Sequence, residues 1–257
     1  MRDARNSGSR RVKSVDQAFA IVEYVDGTGG VTLSTVAADL DIPVSTAHIH
    51  LTTLVDNGYL LKEDDEYRCS FKYLNIGGRK RDQMNLFQVA KGEIDDLQGT
   101  TGEHTNIMTE ENGYAVQLYK SRGPETIDDD APVGKYFPLH VVATGKAMLA
   151  TYGAERVESI VDGLGLAAPT NNSITDAEDL YAELETIRER GYSLNREEHY
   201  PGVAAVGTAI TSDDEVLGAI SISGPIGRME RERIEEELAP ALLTKKNVIE
   251  LKVRQRT

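Results

Sequence analysis

The stretch from Thr32 to Leu61, TLSTVAADLDIPVSTAHIHLTTLVDNGYLL, constrains the fold more than any other part of the chain. Apolar residues recur twice at helical spacing, first Leu33, Val36, Ala37 and Leu40, then Ala47, Leu51, Leu54 and Val55. DIPV separates them, and Pro43 cannot continue a helix, so the two helices meet at a tight turn. Upstream, VDQAFAIVEYVD places Val15, Ala18, Phe19, Val22 and Val25 on one helical face, and GTGG ends it. Downstream, DNG stops the third helix, and YLLKEDDEYRCSF reads as two short strands around an acidic turn. Helix, helix, turn, helix, hairpin is the winged helix-turn-helix plan. Each short helix needs the others to cover its stripe. The expected N-caps are Ser14, then Thr32 or Ser34, then Ser45 or Asp41.

Charge argues the other way. The chain holds 42 Asp and Glu against 28 Lys and Arg, a net charge of −14, and no Lys or Arg lies between Pro43 and Asn57. A nucleic-acid partner ordinarily calls for a basic patch, so a DNA role rests on the pattern of the third helix. With its apolar face inward, that helix presents Ser45, Ile49 and Thr53, with Thr46 to one side and His48 and His50 flanking. The N-terminal part of such a helix meets base edges in the major groove. Ser and Thr bond either base class, and Ile49 can meet a thymine methyl. Phosphate contacts then fall to Arg10, Arg11 and Lys13 before the first helix, and to Lys62 and Arg68 on the wing. Such a distribution suits brine. Counterion release fades as salt rises, and the Debye length is about 3 Å at roughly 1 M salt. Dispersed acid, no Trp and sparse Lys fit a halophile whose surface carboxylates keep it in solution. A winged helix used for protein contacts is the alternative.

The boundaries read as a disordered basic arm over 1–11, the winged helix over 12–75, a linker helix over 76–98 and a third region over 99–257. In the linker, GGRKRDQMNLFQVAKGEIDDLQ, the stripe Met84, Phe87, Ala90, Ile94 and Leu97 fits a dimer seam or the back of the next domain. Beyond it, HTNIMTEENGYAVQLYKSRG is a hairpin turning at Asn-Gly. GKAMLATY, AERVESIVDGL and TDAEDLYAELETIRERG are helical, while YSLNREEH, VAAVGTAITS and VLGAISISG are strands. A helical tail follows from about Met229, with Pro240 opening its second segment. Strand blocks separated by a helix block predict an α+β domain on an antiparallel sheet.

Chemistry is sparse. Cys69 is the single cysteine, which excludes an intramolecular disulfide. TGKAM lacks the flanking residues of a phosphate loop, GLGLAA follows a helix rather than a strand, and no G-x-S-x-G elbow occurs. His104, His140 and His199 lie near Glu103, Glu197 and Glu198 and are the metal candidates, though no pair has helical ligand spacing. No cofactor is expected. No apolar run nears the roughly 20 residues of a membrane span, and the basic N-terminus has no hydrophobic segment behind it. The expectation is a cytoplasmic chain. TGKA opens a helix whose free amides can hold a carboxylate or phosphate. Ser221 and Ser223 share one face of a strand.

Four stretches carry a family resemblance: KSVDQAFAIVEYV with STAHIHLTTLVDNGYL, then PLHVVATGKAMLA, GYSLNREEHYPGVAAVGTAI and LGAISISGP. In this order and spacing the chain resembles the IclR-type transcription regulators along nearly its whole length. The resemblance implies an N-terminal winged helix, a linker helix and a C-terminal GAF-like effector domain. It implies homodimers, often paired into dimers of dimers, that bind a double-stranded DNA operator. It also implies a small organic effector, such as a sugar, sugar acid, keto acid or aromatic acid. The family's pocket maps onto Phe137, Ala143, Thr144, Asn195, Val203, Ala205, Ser221 and Ser223. Ala205 stands where many members have Cys, Asn195 where many have an acid, and Ile49 where many have Arg. A non-enzymatic, non-membrane regulator is the expectation. Two alternatives stay open: a small-molecule enzyme or metal protein using the C-terminal domain, and a protein-interaction module with an idle winged helix.

Overall fold

Thr32 shows how the sequence sets the first motif: its hydroxyl accepts from the Thr35 amide at 3.4 Å and starts the second helix. The computed structural model describes residues 11–123 and 131–256, as two units that meet in sequence between Lys80 and Arg81. In the first unit, α1 (Lys13–Thr28), α2 (Leu33–Asp39) and α3 (Val44–Asp56) surround a core of Ile21, Val25, Val36, Ala47 and Leu51. Strands β1 (Val31–Thr32), β2 (Leu60–Glu63) and β3 (Glu66–Cys69) form an antiparallel sheet in the order β1-β3-β2. The wing thus has a third strand that sequence reading assigned to a loop. Asp64 and Asp65, at φ 48° and 68°, make the two-residue turn of the wing.

Three local expectations are corrected. Ser14 does not cap α1; the helix begins two residues earlier, after Val12, whose carbonyl accepts from Val15 and Asp16. Neither Ser45 nor Asp41 caps α3: Pro43 occupies that position, Ser45 lies inside the helix, and Asp41 takes the turn at φ 50°. The buried face of α1 is the Ile21 and Val25 stripe, while Val15 and Phe19 are 49% and 65% exposed. The i, i+4 pair Ile21 and Val25 fills the core, and the parallel stripe stays uncovered in the single chain.

The linker helix is also corrected. It is two helices, α4 (Lys72–Asp82) and α5 (Asn85–Thr101), broken at Met84 with ψ 121°. The Gln88 side chain donates to the Asp82 carbonyl at 2.6 Å and so satisfies the end of α4 across the break. Helix α5 then buries Leu86, Phe87, Ala90, Ile94 and Leu97 in the second unit's own core. The stripe expected as a dimer seam or a domain back is the domain back.

The second unit is a six-stranded antiparallel sheet in the order β6-β5-β4-β9-β8-β7. Its strands are β4 (His104–Glu111), β5 (Tyr114–Ser121), β6 (Tyr136–Pro138), β7 (Ser193–Arg196), β8 (Val203–Ser212) and β9 (Glu215–Pro225). Asn112 and Gly113, at φ 54° and 83°, form the β4–β5 turn that Asn-Gly predicts. Alternation along the strands separates two layers. Ile107, Ala204, Val206, Ile220 and Ile222 pack toward α5, the tail residues Ile234 and Leu238 that follow the short α9 (Arg231–Arg233), and α10 (Ala239–Arg254). The opposite face meets α6 (Ala143–Thr151), α7 (Ala154–Leu164) and α8 (Ala177–Arg190) through Met148, Leu149, Val157, Leu180 and Leu184.

Two glycines set how closely α6 packs, Gly207 against the sheet and Gly145 against the turn that precedes the helix. A methyl on Gly145 would sit 2.1 Å from the Leu139 carbonyl oxygen, and one on Gly207 would sit 2.8 Å from the Ala143 carbonyl carbon. Both obstacles are backbone, so neither can swing aside. Gly145→Ala is expected to destabilise the chain by about 1–3 kcal/mol or more, as overpacking does. Gly92→Ala, in α5 with nothing within 4 Å of the added methyl, is expected to gain up to about 1 kcal/mol. Urea midpoints at fixed salt measure the contrast, and coincident midpoints would show the α6 contact to be loose.

Candidate functional site

Strand alternation gathers one set of polar side chains. Asn106, Ser221, Ser223 and Asn195 all point to the sheet face opposite α5, in register across neighbouring strands: Asn106 opposite Ser221, Ser223 opposite Ala205, Asn195 opposite Ala205. Between this face and the start of α6 lies a cavity of about 60 Å³ that opens to solvent. All eight residues expected from the sequence line it: Phe137, Ala143, Thr144, Asn195, Val203, Ala205, Ser221 and Ser223. Sequence reading missed Asn106, Gln117, Lys120 and Tyr200 and considered His199 only as a metal ligand; all five are in the wall. The signal for Gln117 was present. A two-residue Asn-Gly turn places Gln117 opposite Met108 in the hairpin register, as found.

Hydrogen bonds fix which atoms the wall can offer. Gln117 Nε2 donates to Asn106 Oδ1 at 3.3 Å and to the Tyr119 carbonyl. Asn106 Nδ2 in turn donates to Ser221 Oγ at 3.2 Å and Ser223 Oγ at 3.1 Å. Both serine oxygens therefore act as acceptors toward Asn106, which leaves each O–H as a donor. Asn195 is committed elsewhere: its Nδ2 donates to the Val141 carbonyl at 2.5 Å and steadies the turn before α6. Thr144 Oγ1 donates to Met108 Sδ at 2.9 Å. Val142 precedes α6 with no side-chain cap, so the first amides of α6 lack an intrahelical acceptor. Burial, and next the nearby Lys135 ammonium, lowers the His199 pKa, keeping the imidazole neutral beside Phe137 and Tyr200.

Behind this wall sits a buried ion pair. Lys146, 1% exposed, places its ammonium 2.7 Å from the Glu198 carboxylate and 3.5 Å from Glu183. Burial raises the Glu198 pKa, and the Lys146 charge opposes the shift.

The three histidines weighed as metal candidates do not gather. Among the described residues, no three His, Cys, Asp or Glu side chains converge on one point. His199 lines the cavity just described, and His140 faces a separate cavity lined by Ile160, Leu164 and Leu180, its Nε2 against the Ala167 carbonyl at 2.8 Å. His104 lies on β4 opposite Ser223. Among the described residues no helix is long and apolar enough to cross a membrane.

In the first unit, α3 exposes Ser45, His48, Ile49 and Thr53, with Thr46 and His50 half-buried. Ile49 is 65% exposed. Thr53 Oγ1 donates to the Ile49 carbonyl at 2.8 Å, which leaves its oxygen free only to accept. Three of the cations assigned to phosphates already face carboxylates: Arg11 to Asp16 at 2.6 Å, Lys62 to Asp65 at 3.0 Å and Arg68 to Glu66 at 2.9 Å. Lys13 is exposed, and Arg10 lies outside the described residues.

Comparison with known proteins agrees with both units. The IclR helix-turn-helix domain matches residues 14–64, and the bacterial transcriptional regulator IclR C-terminal domain matches residues 79–249. The chain belongs to the IclR family of transcriptional regulators. A relative from Halobacterium salinarum, named "Probable HTH-type transcriptional regulator ArcR", is 27% identical over 97% of both chains. The AllR transcriptional repressor of Escherichia coli K12 is 28% identical over 86% of this chain and 83% of its own. The crystal structure of Thermotoga maritima IclR superposes with a TM-score of 0.82 at 27% identity, covering 95% of this chain and 99% of that one. An IclR homologue from Microbacterium hydrocarbonoxydans complexed with 4-hydroxybenzoate shares the fold, with a TM-score of 0.79 at 22% identity over 94% and 99% of the two chains. Regulators of this family bind DNA through the helix-turn-helix and respond to small effectors. The relatives are named as regulators and repressors rather than enzymes.

In this IclR-family chain the acid is not evenly spread. Residues 1–80 hold ten Lys and Arg against eleven Asp and Glu, so nearly all of the −14 belongs to residues 81–257. The DNA-reading half is close to neutral.

The Lys146 pair gives a test with a defined sign. Lys146→Met strands the Glu198 carboxylate in the interior, at a cost of about 3–5 kcal/mol near neutral pH. With the ammonium gone, burial drives the Glu198 pKa further up, so the folded state takes up a proton more readily than the unfolded chain. The deficit should therefore shrink as pH falls from 7.5 toward 5. Thermal or urea unfolding across that range measures it, and a deficit independent of pH would place the cost in lost packing.

Proposed function

We propose that this regulator reads its operator with the outer face of α3 and that a small organic acid or polyhydroxy compound in the sheet–α6 cavity sets its DNA affinity. One observation carries the effector half: eight residues named from the sequence converge on a single cavity. There, paired serine hydroxyls and an uncapped helix start offer donors to an anion. The candidate contacts are Thr144, Ser221 and Ser223, with Phe137, Ala143, Val203 and Ala205 supplying shape. Asn195 serves by positioning the Val141 turn.

The DNA half rests on the exposure of Ser45, His48, Ile49 and Thr53 along α3. Thr46 and His50 border that row. Arg10, Arg11, Lys13, Lys62 and Arg68 are the proposed phosphate contacts. Arg11, Lys62 and Arg68 each exchange a carboxylate for a phosphate on binding. That exchange weakens the charge-driven part of affinity and suits a protein working in high salt. A homodimer is proposed through the uncovered α1 stripe of Val12, Val15 and Phe19, with further pairing into a dimer of dimers. Effector binding shifts DNA affinity only through two states of unequal ligand affinity. The α4–α5 segment, broken at Met84, is the proposed lever.

Two experiments test these halves. Ser45→Ala and Ile49→Ala should each weaken binding to the upstream region of the protein's own gene by about 1–3 kcal/mol and relax base preference there. Asp65→Asn, which releases Lys62, should steepen the slope of log affinity against log KCl by up to about 0.9 per phosphate gained. Fluorescence anisotropy at several KCl concentrations reads both, and wild-type behaviour in all three variants would remove α3 and the wing from the interface. For the effector, the double variant Ser221→Ala, Ser223→Ala should keep ligand-free operator affinity and lose the response to added effector. An intact response would displace the site from this cavity.

A further inference from the structure

Resting on the effector reading above, we infer that Gln117, set by Asn106, makes the cavity selective for hydroxy acids over acids lacking a hydroxyl. Gln117 is 0% exposed, and its Oε1 has no hydrogen-bond donor among the described residues. Its amide cannot be turned round to relieve this. The Nε2 end already faces two acceptors, Asn106 Oδ1 and the Tyr119 carbonyl, and a flip would set oxygen against oxygen. A buried carbonyl oxygen left without a donor costs about 1–3 kcal/mol, so a ligand that supplies a donor relieves a standing penalty.

The same chain of bonds polarises the rest of the wall. Because Asn106 donates to both serine oxygens, Ser221 and Ser223 are left to donate side by side. Two hydroxyl donors and the open amides at the start of α6 suit a carboxylate. Gln117 Oε1 supplies the opposite polarity and suits the O–H of a hydroxyl. His199 Nδ1 is a second buried polar atom of this wall without a partner among the described residues. An acid with no hydroxyl satisfies the donors and leaves Gln117 as it was. A hydroxy acid satisfies both. Sites built to bond a hydroxyl discriminate strongly against analogues that lack it, because the buried partner stays unpaired.

Matched probes on the full chain at molar KCl test this by titration calorimetry: glycerate against propionate, gluconate against hexanoate, and 4-hydroxybenzoate against benzoate. In at least one pair the hydroxylated acid should bind about tenfold or more tighter. Gln117→Met, close in shape but without the acceptor, should reduce that preference to within about threefold. Equal binding within every pair by the unaltered chain would overturn the inference and leave the effector site standing. A preference that survives Gln117→Met would overturn it too. No binding of any probe by the unaltered chain would remove the effector reading itself and the inference with it. The comparison within pairs needs no variant, so a Gln117→Met chain that fails to fold does not block the test.

Discussion

The buried Lys146 ammonium is the constraint around which the C-terminal unit is organised. A charge this deep is tolerable only with opposite charge in contact, and Glu198 at 2.7 Å provides it. Lys146 lies in the first turn of α6, and Glu198 lies in the loop after β7 that continues into His199 and Tyr200. The ion pair therefore ties the helix start to the segment that closes the cavity. Its net stabilisation is small, because desolvation offsets most of the attraction. Its effect is positional. Gly207 allows α6 to approach the sheet, Gly145 lets it pack on the turn before it, and the ion pair holds it there, so Ala143 and Thr144 line the cavity.

Much of this was legible in the sequence, for reasons that differ by element. The helices of the first unit were legible because their apolar spacing has no competing reading, and Asn112-Gly113 because both residues tolerate the left-handed turn. The cavity residues came from a resemblance, and strand alternation then placed them on one face. What failed was local and competitive. Ser14, Ser45 and Asp41 are good caps by type, yet packing of the helix bodies set the starts elsewhere. Two apolar stripes run along α1, and nothing within the sequence says which one the core takes. The break at Met84 has no Pro to mark it; α5 is separated from α4 because the second unit's core claims its apolar face. Gln117 was missed because a lone Gln in a strand draws no attention by type; only the hairpin register set by Asn112-Gly113, opposite Met108, marks its place.

Charge in this molecule is better understood by location than by total. The acid that makes the chain strongly negative lies in residues 81–257, while residues 1–80 are nearly balanced. Within the first unit, the wing tip places Glu63, Asp64, Asp65 and Glu66 beside Lys62 and Arg68, and each cation has an acidic partner. Exposed pairs of this kind add little stability. In the proposed interface those carboxylates compete with phosphates for the same cations, which would leave more of the recognition to the hydroxyl and methyl groups of α3. Specificity in that scheme comes from base edges rather than from attraction to the backbone.

The central claim is that the neutral face of α3 reads a defined DNA sequence. Footprinting of the full chain on the upstream region of its own gene, at molar KCl, tests it most directly. The account predicts a discrete protected window containing two related half-sites about one helical turn, or a multiple of it, apart. Uniform protection that disappears with added salt, or no protection at any concentration, would contradict it.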